Sequence, residues 1–86
     1  MKNIVVILRP FDMDQTLIVY EDGNKIDMAQ VSVDDFNKTM FSLADQYEID
    51  SVDLVGPKRY AEGIKNQIIA YSASQYSCRP LEIWII

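Results

Sequence analysis

A chain of 86 residues is enough for one domain, residues 1–86, which at this size buries only about 60 to 65% of the surface that the unfolded chain exposes. Its net charge of -5 disfavours a protein that binds by neutralising nucleic-acid phosphates across a broad face, and the absence of histidine removes the usual zinc ligand sets. A single cysteine and the lack of an apolar run of membrane-spanning length predict a soluble, cytoplasmic protein without a disulfide, a membrane partner or a cofactor.

Apolar residues near the start of the chain predict a buried strand followed by a hairpin. The continuous run at residues 4–8 is typical of a central strand buried on both faces, and Pro10 ends it by removing a backbone donor. Two alternating segments follow, 16–20 and 26–31, separated by a turn that contains Asp22-Gly23. Because Asp-Gly between alternating runs is a strong hairpin signal, these segments are predicted to be the second and third strands.

Two helix patterns follow, and each has one apolar stripe. The first helix is predicted to begin at Ser32, whose hydroxyl can cap the first turn while Asp35 reaches back to complete a capping box. Its stripe consists of Phe36, Met40, Leu43, Ala44 and Tyr47.

Residues 52–55 predict a fourth strand, and Pro57 opens the second helix, where its fixed φ is already helical. The second stripe consists of Tyr60, Ile64, Ile68 and Tyr71. Residues 81–86 predict a fifth strand.

The order strand, strand, strand, helix, strand, helix, strand leaves few topologies, since helical crossovers between parallel strands are nearly always right-handed. It predicts an α/β domain with a five-strand mixed sheet in spatial order 3-2-1-4-5, in which the second strand alone is antiparallel. This arrangement resembles the ribonuclease H-like fold, including proteins similar to Holliday-junction resolvases, over essentially the whole chain. The chain is also similar in general character to small uncharacterised bacteriophage proteins, which implies a viral accessory protein in the cytoplasm of a host cell.

The resemblance implies an acidic site in those members that cleave nucleic acid. Two magnesium ions about 4 Å apart are held there by a carboxylate within strand one, another at the end of strand four and a third on a later helix. Here residues 4–8 contain no acid, and Asp53 comes early in strand four. We therefore expect no nuclease activity. The alternative is a metal-dependent nucleic-acid-processing protein with a rearranged acidic site, whose ligands would be Asp12, Asp14, Asp53 and Glu62. Asp12 and Asp14 alone are spaced to hold a divalent cation, although such pairs more often stop strands or initiate turns.

The carboxyl ends of the parallel strands predict a candidate anion site. Ligands of open α/β sheets favour this rim, and the turn before the second helix combines backbone N–H groups with two cationic side chains. The candidate residues are Gly56, Lys58, Arg59 and Arg9, with phosphate or nucleotide as the expected ligand. The simpler interpretation is that Lys58 and Arg59 are solvated or paired with Asp12 or Asp14.

Two further residues, Cys78 and Gly63, are assigned no catalytic or binding role. Cys78 has no histidine to act as a base, so it is interpreted as a bystander thiol. Gly63 interrupts the second helix at a cost of about 1 kcal/mol relative to alanine, and it either allows close approach of helix and sheet or lies at the surface.

The fifth strand predicts the main functional surface. Its residues alternate between the two faces of the sheet, in the sets Leu81, Ile83, Ile85 and Glu82, Trp84, Ile86. Natural edge strands are usually protected, so either the second helix and the segment around Tyr76 cover the second face, or another molecule does. We expect an interface at Trp84, Ile86 and Glu82, formed with a second copy or with a strand of a partner protein. The leading hypothesis is a non-catalytic protein-binding or assembly module.

Overall fold

The computed structural model describes residues 1–75 and 79–86 of the chain. These residues form β1 (Lys2–Ile7), β2 (Asp14–Glu21), β3 (Asn24–Ser32), α1 (Phe36–Tyr47), β4 (Ser51–Val55), α2 (Lys58–Ala73) and β5 (Glu82–Ile85). The strands make one sheet in the order β3-β2-β1-β4-β5, with β2 antiparallel to its neighbours and β4 and β5 parallel to β1. The predicted α/β topology is confirmed. No helix of the described ranges is long and apolar enough to cross a membrane.

The β2–β3 hairpin turns where Asp-Gly predicted it. Asp22 and Gly23 both have positive φ, 51° and 83°, which is the requirement of a two-residue type I′ turn. The register shifts between Val19 and Tyr20, so a local irregularity twists the outer strand β3.

The first helix begins four residues later than predicted. Ser32 belongs to β3 and pairs with Asp14, and the amide of Val33 still donates to the Met13 carbonyl at 2.9 Å. The helix starts at Phe36 after Asp35, which makes no side-chain hydrogen bond to the helix. The predicted capping box at Ser32 is wrong, because pairing with an unexpectedly long β2 engages the Ser32 backbone in the sheet.

Both helices pack on the same face of the sheet, where the core lies. Two consecutive right-handed crossovers in the same direction across the sheet place their helices on one side. The sheet contributes the buried residues Ile4, Val6, Leu8, Leu17, Val19, Val52 and Leu54. The helices and the loop between α1 and β4 contribute Phe36, Met40, Phe41, Leu43, Ala44, Ile49, Ala61 and Ile68. The prediction that β1 is buried on both faces is wrong, since its other face carries Val5 and Ile7, which are only half-buried.

The last strand lies at the edge of the sheet, as predicted. Arg79 fixes its approach by donating to the Ile49 carbonyl at 2.7 Å and to the Asp50 carboxylate at 3.0 Å. The amides of Glu82 and Ile86 then donate to Asp50 and Leu54, at 2.8 and 2.9 Å. Tyr76 and Cys78, for which covering and bystander roles were predicted, lie outside the described residues.

Candidate functional site

The face of the sheet opposite α1 and α2 is not covered by any helix of the described chain. The strand register aligns its side chains in rows that cross the sheet. The middle row reads Met28, Ile18, Val5, Asp53 and Trp84. The row nearer the carboxyl end of β1 reads Gln30, Thr16, Ile7 and Val55, and Ile86 follows beyond β5. The row nearer the amino end reads Tyr20, Asn3, Ser51 and Glu82. Two of these rows are mostly apolar, and we call the whole surface the uncovered face.

Large apolar side chains at the two ends of the middle row are exposed to solvent. Met28 on the β3 side is 54% exposed, and Trp84 on the β5 side is 56% exposed. Ile86 lies next to Trp84 in the chain and is 71% exposed. Trp84 and Ile86 together form an exposed apolar patch at the β5 end of this face, and such patches mark contact sites more often than isolated apolar residues do. The expectation that Trp84 could be covered by the second helix is wrong, because α2 packs on the opposite face.

The outer edge of β5 pairs with no strand of the described chain. Because the amides of Glu82 and Ile86 point inward to β4, alternation places the N–H and C=O groups of Ile83 and Ile85 on the outside. Glu82 is the only charged side chain of this strand. The opposite edge of the sheet, β3, carries Lys25 and Asp27 and the register irregularity, which are common protections against pairing. The β5 edge is therefore the less protected of the two.

Apolar side chains also flank β5 on its helix side. A groove of about 200 Å³ runs between α2 and the approach to β5, and Phe41, Ile68, Ile69, Leu81 and Ile83 are among the residues that line it. Ile69 is exposed although it is apolar. A chain that paired with β5 would meet apolar surface above and below the strand.

The acidic residues proposed as metal ligands are not brought together. Asp53 lies on the uncovered face at the level of Val5, and its carboxylate accepts a hydrogen bond from the Asn3 side-chain Nδ2 at 3.0 Å. Asp14 stands four residues before Ile18 on β2, roughly 13 Å along the strand from the level of Asp53. Asp12 is in the loop after β1, and Glu62 is exposed on α2 in the other layer. Within residues 1–75 and 79–86, no three acidic or cysteine side chains are placed to share a metal ion.

The predicted anion residues share a rim but have different roles. A side chain at Gly56 would place its Cβ 2.8 Å from the Leu8 Cβ, so this glycine is required by the close approach of β1. Arg9, Lys58 and Arg59 are exposed and make no ion pair with a described carboxylate, which excludes the predicted pairing with Asp12 or Asp14. The first intrahelical bond of α2 runs from the Ala61 amide to the Pro57 carbonyl at 2.9 Å, so the three preceding amides have no helical acceptor.

A cavity at this rim was not predicted. It has a volume of about 740 Å³ and lies between the β1–β2 loop and the amino-terminal halves of α1 and α2. The α2 residues that line it are Arg59, Tyr60, Gly63, Ile64 and Gln67, and the last four follow helical spacing. Phe11 from the β1–β2 loop and Phe36 from α1 also line it. We call this space the rim cavity.

A hydrogen-bonded pair connects the end of α1 to β3 on the helix side of the sheet. The Tyr47 hydroxyl donates to the Asp27 carboxylate at 2.6 Å, and the Met28 amide donates to the same carboxylate at 2.8 Å. The Tyr47 hydrogen bond, followed by that of Met28, lowers the pKa of Asp27. The same contact raises the pKa of Tyr47, because ionisation would remove the donated proton.

No protein-family model, curated protein or solved structure matches this chain. The resemblance to the ribonuclease H-like fold stays a prediction from the order of the elements. Because one fold hosts many functions, the surfaces of the molecule indicate its function better than its topology does.

Proposed function

We propose that this protein is a non-catalytic assembly module that associates with a second copy of itself through the β5 edge. The observation that carries the proposal is an edge strand whose outer side pairs with no described strand and which is flanked by exposed apolar side chains, above all Trp84. A two-fold axis through the edge makes the contact self-complementary, since each copy supplies the same strand in the opposite direction. The two sheets would then continue into each other.

The direction of the free backbone groups restricts the register of this pairing. Ile83 and Ile85 point outward, so they must occupy the hydrogen-bonded positions of an antiparallel ladder. Pairing Ile83 with Ile85 of the second copy satisfies this rule with about four new backbone hydrogen bonds. In that register Glu82 faces Ile86 of the second copy, which avoids placing the two glutamates opposite each other.

The same register places Trp84 opposite Trp84 of the second copy on the two-fold axis. Directly opposed residues in an antiparallel pair have Cβ atoms about 5 Å apart, which is within contact distance for two indole rings. A large ring buried near the centre of a contact commonly contributes about 2 kcal/mol or more. On the other side of the sheet, Ile69 and Ile83 provide further apolar contact.

A strand from a different protein is the second form of the same proposal, because edge pairing needs only an extended segment with apolar side chains at alternate positions. The alternative of a metal-dependent nucleic-acid-processing protein has less support, since Asp12, Asp14 and Asp53 lie apart. That the protein is a cytoplasmic bacteriophage accessory protein stays a prediction.

The test compares Trp84→Lys with Met28→Lys by sedimentation velocity over a range of protein concentrations. The two residues lie at opposite ends of one row and are almost equally exposed, so the variants are matched in exposure and in the charge that they introduce, and differ in the edge of the sheet they occupy. We expect a wild-type dimer, a Met28→Lys dimer and a Trp84→Lys monomer, each with an unchanged circular dichroism spectrum. Each copy carries a charge of -5, so added salt should strengthen the dimer.

Each other outcome has a distinct meaning. A dimer that loses its stability in both variants would indicate association through the uncovered face and not through the edge. A dimer that survives Trp84→Lys would contradict the role of β5. A wild-type monomer at high concentration would remove self-association and leave the β5 edge for a partner strand.

A further inference from the structure

We propose that the rim cavity binds a small apolar carboxylate, with the hydrocarbon part inside the cavity and the carboxylate at Arg59. This site is separate from the β5 edge and does not depend on the assembly proposal. The ligand class is that of fatty acids and aryl-alkyl acids.

The size and lining of the cavity indicate an apolar ligand. A volume of about 740 Å³ is within the range of about 300 to 1,000 Å³ that holds small molecules. Phe36, Tyr60 and Ile64 give it mainly hydrocarbon walls. A free phosphate would leave these walls exposed to water, whereas an acid with a hydrocarbon chain would cover them.

The positive charge of Arg59 favours an anionic ligand in the rim cavity over a neutral one. Among the described residues Arg59 is the only charged one that lines the cavity, and it makes no ion pair with a described carboxylate. In a chain with a net charge of -5, a cation beside an apolar space is a local exception. The guanidinium presents two parallel N–H groups, which match the two oxygens of a carboxylate.

The β1–β2 loop beside the cavity is held in place by hydrogen bonds, while the ring of Phe11 in this loop is exposed. Gln15 is 1% exposed, and its side chain accepts a hydrogen bond from the Arg9 amide at 2.8 Å and donates one to the Arg9 carbonyl at 3.3 Å. These two bonds fix the loop across its ends. Phe11 within the loop lines the cavity but is fully exposed. A ligand in the cavity would give this ring an apolar contact that the described chain does not provide.

Gly63 keeps the cavity wide. A Cβ added at this position would meet no atom within 4 Å, so the glycine is not required by the packing of α2 on the sheet. Glycine inside a helix is less favourable than alanine by about 1 kcal/mol. The position faces the cavity together with Tyr60, Ile64 and Gln67, so any side chain there would occupy ligand space.

The test uses decanoate as the probe, with decanol and inorganic phosphate as comparisons, in calorimetric and NMR titrations of the full chain. We expect decanoate to shift the amides of residues 60–67 and of Phe36, decanol to bind more weakly, and phosphate alone to leave Ile64 unshifted. Arg59→Gln should weaken decanoate binding about tenfold or more, and Lys58→Gln, a neighbouring cation outside the lining, should change it little.

Gly63→Leu tests the position of the hydrocarbon part. It should abolish decanoate binding while the helix is retained or strengthened, and Ala70→Leu, at an exposed α2 position away from the cavity, should leave binding unchanged. A thermal melt confirms that each variant is folded. Decanoate that binds Gly63→Leu as tightly as wild type, phosphate that competes fully with decanoate, or no binding of decanoate at all would overturn the proposal.

Discussion

Replacing Gly56 by alanine should destabilise the fold, although the position has the appearance of a ligand-binding turn. The new Cβ would lie 2.8 Å from the Leu8 Cβ and 3.2 Å from the Leu8 carbonyl oxygen. Unstrained contacts between carbon atoms are at about 3.5 to 4.0 Å. Both atoms belong to the backbone or are attached directly to it, so a change of rotamer cannot relieve the contact.

The size of this effect follows from how firmly Leu8 is held. Its side chain is buried, and its amide donates to the Val55 carbonyl at 2.8 Å, so β1 cannot move away from Gly56 without losing sheet contacts. Overpacking of this kind costs about 1 to 3 kcal/mol in free energy of unfolding. In a domain of this size, each kcal/mol lowers Tm by about 4 to 8 °C.

Gly63→Ala is the matched control, measured with Gly56→Ala by urea denaturation and thermal melting. The same chemical change at Gly63 meets open space inside a helix, so it should raise the free energy of unfolding by about 0.5 to 1 kcal/mol. The two substitutions should therefore have opposite signs. A Gly56→Ala protein as stable as wild type would refute the packing argument and reopen a ligand-binding role for this glycine.

Two further predictions concern titration and catalysis. Asp27→Asn should lower the pKa of Tyr47 toward its ordinary value of 10.0, because the negative charge of the acceptor is lost. NMR of the tyrosine ring follows this titration, and an unchanged pKa of Tyr47 would show that the contact is absent in solution. Because the pKa of Tyr47 is raised, the stabilisation from this contact is complete below pH 10.0 and is lost as pH rises through the folded-state pKa of Tyr47. Because the pKa of Asp27 is lowered, the stabilisation from its ionised carboxylate is present above pH 3.8 and is lost as pH falls through the folded-state pKa of Asp27. Wild-type protein and Asp53→Asn should both leave RNA, DNA and branched junctions uncleaved with magnesium or manganese, and cleavage that Asp53→Asn abolishes would contradict our assignment of that carboxylate to its bond with Asn3.

The sheet topology was predictable because it depends on the order of elements and on the handedness of crossovers. The strand order 3-2-1-4-5 needs no knowledge of side-chain packing. The burial of β1 was predicted wrongly, because the direction of the crossovers was not taken into account. A continuous apolar run such as residues 4–8 is typical of a strand covered on both faces, yet the two crossovers run in the same direction and leave one face uncovered.

The start of α1 shows where local signals give way to pairing between strands. Ser32 and Asp35 have the spacing of a capping box, but Asp14 lies opposite Ser32 and extends the hairpin ladder to it. The early start of β2 could not be predicted from the alternation of apolar residues, since its first two residues, Asp14 and Gln15, are polar. Gln15 is nevertheless buried, because its amide bonds to the Arg9 backbone.

The candidate sites were predictable in different degrees. Trp84 and Ile86 were placed on the second face of an edge strand by alternation alone, and the structure places them there. The rim cavity was missed because its walls come from three separate segments. Gly63, three residues after Tyr60 and next to Ile64, was the one local signal of it, since a glycine on that side of the helix leaves open space.

Amide hydrogen exchange at β5 tests the central proposal most directly. The amides of Glu82 and Ile86 donate to β4 within one copy, so their protection should not depend on protein concentration. The amides of Ile83 and Ile85 point outward, and we predict that they become protected as concentration rises, in parallel with the dimer, and that Trp84→Lys removes this protection. A dimer in which Ile83 and Ile85 exchange as freely as in the monomer would contradict pairing through the β5 edge.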